Sequence, residues 1–209
     1  MNIEVLDSSE NFQTWISRDY IAEELKNELQ KASVLIVPFE KLRDFDKPLF
    51  PIETSNILSY FQQNFDKDFT VDICITDDLY TEFGFYNNYK RLGKFVVATV
   101  AIPTFVTILS AYVYDRYIKE EESKPEINII DNSTKIVVND IHISTVSQKK
   151  YLQTVQVKFS VTVVDSSGNS KEIKFEGPAK EISSALEALK KYEEPKKEVA
   201  DNEESTSLE

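Results

Sequence analysis

The first chemistry to consider is histidine chemistry, and the chain has a single histidine, His142, in Ile141-His142-Ile143-Ser144. The H-x-S spacing is half of a two-histidine phosphoesterase signature. That reaction needs one ring as acid and a second as base. One histidine supplies half of it. The same count leaves no familiar Cys/His zinc site and little support for a Ser-His-Asp arrangement. His142 reads as an outward-facing strand residue. Cys74 is the only cysteine, so no intrachain disulfide can form. It lies in an alternating apolar run and reads as a small buried side chain.

Carboxylates remain. Asp165 with Glu172-Ile173-Lys174 imitates the two-acids-plus-lysine pattern of metal-dependent nucleases. Side chains alternate along a strand, so Glu172 and Lys174 share a face. Two acids could hold a hard cation such as Mg²⁺. Against this, Asp165 opens a tight turn, and short acidic patterns arise often by chance on solvated strands. Asp72, Asp77 and Asp78 form a second acidic group at a strand end, where α/β sheets often hold ligands. The favourable charge at a helix start explains Asp77 and Asp78 more simply. The favoured reading is therefore non-catalytic, with no cofactor and no metal expected.

Composition removes further classes. The four glycines are Gly84, Gly93, Gly168 and Gly177, never closer than nine positions apart. A phosphate-cradling loop needs several close together so that backbone N–H groups can approach the anion. The net charge is −12. No basic stripe interrupts it, so direct nucleic-acid binding is not expected. The N-terminal residues lack the basic and apolar regions of a secretion signal. A cytoplasmic location is expected.

The elements that would position these groups can be read from periodicity. Residues 1–10 read as a flexible lead-in. Apolar residues from Phe12 to Leu29 recur at helical spacing and predict one amphipathic helix over 11–31. Val34 to Phe39 reads as a buried strand, and Phe69 to Thr76 as another. Between them a helix carries Ile57, Leu58, Phe61 and Phe65, capped by Thr54 or Ser55. This spacing predicts a parallel βαβ unit. A helical region, open to breaks near Gly84 and Gly93, is expected from Asp77 to about Lys119, ending at Glu120-Glu121-Glu122. Residues 126–192 read as a β-rich part, with short strands over 126–145. Val155, Val157, Phe159, Val161 and Val163 point one way along a strand. A turn over Asp165 to Ser170 closes a hairpin. Gly177-Pro178 then opens a helix with Ile182, Ala185, Leu186 and Leu189 on one face. The acidic tail 193–209 reads as disordered.

Phe95 to Tyr114 contains twenty residues without a charge. That length could cross a bilayer. Lys90, Arg91 and Lys94 before it would place the N-terminal half inside. Within it Thr99, Pro103, Thr107, Ser110 and Tyr114 form a weakly polar stripe suited to close helix packing. A helix buried against a sheet has equally little need of charge.

The expected fold is α+β. It combines a mixed β-sheet, the N-terminal βαβ unit, a long central hydrophobic helix and a C-terminal β-hairpin followed by a helix. The segments 11–122 and 126–192 are expected to form one composite domain. The expected function is that of a non-catalytic intracellular interaction or accessory protein, microbial in style, whose partner is another protein. A single-pass membrane protein spanning at 95–114 is the main alternative. A nuclease using Asp165, Glu172 and Lys174 is the weaker one.

Overall fold

The computed structural model describes residues 1–42, 45–84, 89–119 and 154–192. The chain is α+β. In order, the elements are β1 (Asn2–Ser8), α1 (Phe12–Ile16), α2 (Glu23–Leu29), β2 (Val34–Val37), β3 (Phe50–Pro51) and α3 (Thr54–Asn64). They continue with β4 (Val71–Ile73), β5 (Glu82–Phe83), β6 (Tyr89–Ala98), α4 (Ile102–Val113), β7 (Gln156–Val164), β8 (Ser170–Pro178) and α5 (Ile182–Lys190). Six strands form one mixed sheet in the order β1-β8-β7-β6-β2-β4; β3 and β5 pair separately. The pairs β2/β4 and β6/β7 are parallel, and β1/β8, β7/β8 and β2/β6 are antiparallel.

The two faces of the sheet are built differently. On one face α3, α4 and α5 bury a continuous core that includes Val34, Ile36, Phe95, Val97, Phe159, Val161, Ile173 and Phe175. Phe61, Phe95 and Phe105 meet at its centre, with ring centroids 5.3–5.9 Å apart. On the other face α1 and α2 bring Trp15, Ile16 and Leu29 against Leu35, Val37 and Val96. Leu35 and Val96 are cross-strand partners there, so this second layer lies over β2 and β6.

The βαβ unit forms as its spacing predicts, from β2, α3 and β4. The hairpin of β7 and β8 followed by α5 also forms. Four expectations need correction. Residues 1–10 are not a flexible lead-in, because Asn2–Ser8 is an edge strand paired along its whole length with β8. Most of its side chains are exposed. An edge strand with one row of backbone bonds needs no strong apolar pattern, so periodicity does not report it. Residues 11–31 form two short helices rather than one. Asn11 and Thr14 cap the first with reciprocal side-chain bonds of 3.0 and 2.8 Å. Residues 77–119 are not helical throughout: Asp77–Leu79 is one 3-10 turn, and β5 and β6 follow.

The fourth correction concerns 95–114. Phe95 to Ala98 is the end of β6. The central helix begins with a 3-10 turn at Thr99–Ala101, continues as α4 and ends in a π-helical turn at Tyr114–Ile118. The absence of charge thus spans two element types, both buried. This also explains Pro103. It falls in the first turn of α4, where its missing N–H costs nothing. No described helix is long and apolar enough to cross a membrane. The short strands expected over 126–145, His142, the boundary at 120–122 and the tail 193–209 lie outside the described residues.

Candidate functional site

Asp165, Glu172 and Lys174 do not converge. Asp165 is consumed by the hairpin turn. One of its oxygens accepts the Ser167 and Asn169 N–H groups at 2.9 and 2.8 Å, and the other accepts the Asn169 amide at 3.1 Å. The Asn169 side chain and these backbone N–H groups hold its carboxyl below the ordinary carboxylate range. Glu172 stands across from Thr162, three residues along β7 from Asp165. At about 3.3 Å per residue that is roughly 10 Å. Glu172 and Lys174 do share a face, and they pair with each other at 3.3 Å. Among the described residues no three acidic, His or Cys side chains group as metal ligands.

Lys174 belongs to a different assembly. A β-bulge breaks the register of β6 against β7 between Arg91 and Gly93. Residues three apart on a regular strand face opposite ways. The inserted Leu92 changes this: Arg91 stands opposite Lys158, and Lys94 opposite Ser160. Both cations therefore arrive on the face that carries Lys158, Ser160 and Lys174, while Leu92 turns into the core. Gly93 makes the bulge with φ +120, a conformation that side chains other than glycine rarely adopt. Arg91, Lys94, Lys158 and Lys174 line a cavity of about 290 Å³ with Phe39 and Ser160. Lys158 pairs with Glu176. The Lys158 ammonium, helped by the Tyr89 hydroxyl, holds the Glu176 carboxyl below its ordinary value. Lys94 lies over the Trp15 and Phe39 rings, at 5.3 and 5.9 Å from their centroids.

A second network was not legible in the sequence. α3 begins at a left-handed residue, Glu53 (φ 75), which offers its own helix no side-chain cap. The cap comes from β5. The Glu82 carboxylate accepts the Glu53 and Ser55 N–H groups at 3.1 and 3.0 Å, and also the Tyr80 hydroxyl. Two orphan donors of the helix start are satisfied in this way. Thr54, one of the expected caps, instead donates its hydroxyl to the Pro51 carbonyl at 2.7 Å. The Glu53 side chain accepts bonds of 3.0 Å from Arg116 and from the Tyr117 hydroxyl, both in the π-helical turn. Burial works to raise the Glu53 carboxyl, but these two donors outweigh it and leave it below the ordinary value.

The other candidates are dispersed. In the polar stripe Thr99 is buried, Pro103 and Ser110 are half-buried, and Thr107 and Tyr114 are exposed. Only Thr107 and Tyr114 of the stripe turn fully outward, and α4 packs through Phe105, Val106, Leu109 and Val113. Burial raises the Asp72 carboxyl, which accepts the Ile73 N–H at 2.7 Å. Asp77 and Asp78 start the 3-10 turn, consistent with a favourable charge at a turn start. Cys74 is fully buried, as its apolar run predicts, and burial pushes its thiol up to about 12. A thiol held protonated is a poor nucleophile.

The last feature is the sheet edge. β1 ends the six-stranded order, and no described strand pairs with its outer side. Val5 and Leu6 on this strand are 48% and 43% exposed. No family model, no curated protein and no solved structure matches the chain.

Proposed function

We propose that this chain is a non-catalytic intracellular interaction protein, and that its partner is another protein adding an extended segment to the outer edge of β1. The observation that carries this reading is that edge. A seven-residue strand at the end of the sheet offers backbone N–H and C=O groups that no described strand uses. Such a row is a template for strand addition, with main-chain bonds giving affinity and alternate side chains giving selectivity. Val5 and Leu6 supply apolar contacts, one on each face of the ladder.

Charge favours a foreign partner over a second copy. β1 carries Glu4 and Asp7 and no basic side chain. Two copies of β1 would crowd four acids into one ladder, whereas a strand bearing Lys or Arg would complement them. A buried single cysteine suits a reducing compartment.

The test is site-specific photo-crosslinking in producing cells. A photoreactive residue replaces Leu6 in one variant and the exposed Lys47 in another. An intermolecular product from the Leu6 site alone is expected. Equal yields from both sites, or products closing only within the same chain, would sink the reading.

A further inference from the structure

The basic cavity beside the Gly93 bulge is separate from the β1 edge, and it is anomalous in a chain of net charge −12. Four cationic side chains from three adjacent strands line it; Glu172 pairs with Lys174 and Glu176 pairs with Lys158, which leaves two cations in excess. Arg91 and Lys158 are directly opposite across β6 and β7, with the Glu176 carboxylate paired to Lys158 beside them. The bulge that brings Arg91 and Lys94 onto one face needs an unusual backbone conformation at Gly93. An excess of positive charge, gathered onto one face by a special backbone conformation, is what a bound anion would answer.

We propose that this cavity binds a small phosphate monoester. The ligand must be anionic, and a dianion balances the excess of cations best. Lysines recognise phosphate as point charges, and Arg91 adds a planar fork. Ser160, opposite Lys94, adds a hydroxyl donor at the cavity floor. Phe39 gives an apolar wall against which a compact organic group can rest. At about 290 Å³ the cavity has room for a phosphoryl group and about one ring, near the lower end of ligand-pocket sizes. A long polyanion does not fit this description. Glu172 and Glu176 flank the cations, and the charge of the whole chain opposes nucleic acid. The inference does not rest on strand addition at β1, and either can fail alone.

The experiment uses the full chain with phenyl phosphate and, separately, inorganic phosphate, each against sodium chloride at equal ionic strength. The readouts are the thermal midpoint and the fluorescence of Trp15, the only tryptophan, which lies against Lys94. A saturable response to phenyl phosphate is expected, with weaker binding of inorganic phosphate. Lys94→Met and Lys174→Met should each weaken binding by about tenfold or more, the scale of losing one charge-assisted hydrogen bond. Lys180→Met, at an exposed site elsewhere, should leave it unchanged. Glu172→Gln should tighten it, which keeps the test open even if Lys94→Met perturbs the packing on Trp15. The proposal is overturned if phenyl phosphate does no more than chloride, or if Lys94→Met and Lys180→Met behave alike. Equal affinity for both phosphates would overturn the assignment of a monoester.

Discussion

Glu53 has a conformation that resists folding and a side chain that favours it. Its left-handed backbone costs roughly 1–2 kcal/mol relative to a relaxed residue. Its carboxylate joins the start of α3 to Arg116 and Tyr117 at the end of the central helix. Because the folded carboxyl is held below its ordinary value, the unfolded chain binds more protons in acid. The stability from this group is therefore complete above about pH 4.3 and is lost as pH falls through the folded value. Glu53→Gln should destabilise the protein at neutral pH by about 1 kcal/mol, a modest amount because Arg116 is half exposed. The variant should also show a flatter loss of stability below about pH 4.3. Urea midpoints measured from neutral pH into acid check both statements. A variant whose acid slope matches the parent would remove Glu53 from the linkage.

At the scale of elements, the central helix shows how one uncharged run serves two structures. Its first four residues complete β6 and its remainder enters a helix, so its faces are set by two different periods. Val106 is buried, while its neighbour Thr107 is exposed. Val106→Asp should cost roughly 3–5 kcal/mol, since an unpaired charge would enter the core. Thr107→Asp should stay within about 0.5 kcal/mol of the parent. Thermal or urea unfolding of the two variants checks the contrast. Equal damage from both would mean that Thr107 is covered. The same reasoning separates the hairpin from the edge strand. The alternation in β7 reports one buried face, and tertiary packing also buries Ser160 and Thr162 on the other, whereas β1 takes its place from its pairing with β8.

For the whole molecule the dominant long-range quantity is the charge of −12. Self-repulsion of this size opposes the compact state. The exposed ion pairs, such as Lys171 with Asp7 at 3.6 Å, offset little of it. Raising salt from about 0.01 to about 0.15 M shortens the screening length from about 30 to about 8 Å. The thermal midpoint should therefore rise, by about 2–4 °C for each kcal/mol of repulsion removed. Differential scanning fluorimetry in sodium chloride checks this. A midpoint that falls with salt would show that paired charges outweigh the net repulsion.

Periodicity and composition by themselves determined the βαβ unit, the hairpin with its following helix, and the burial of Cys74. These features depend on neighbours close in sequence, where side-chain period and turn residues act directly. Glu172 and Lys174 could be placed on one face for the same reason. Tertiary structure decided the rest. The strand at Asn2–Ser8 exists because β8 offers it a backbone edge, and its own side chains carry little burial signal. The cap of α3 comes from Glu82, 29 residues away from the N–H of Glu53 that it accepts. Arg91 and Lys94 read as flanking charges of a hydrophobic run. Only the pairing of β6 with β7 reveals a bulge, and only the bulge turns both onto one face with Lys158 and Lys174. A register shift is a relation between two strands, so no single run of sequence contains it.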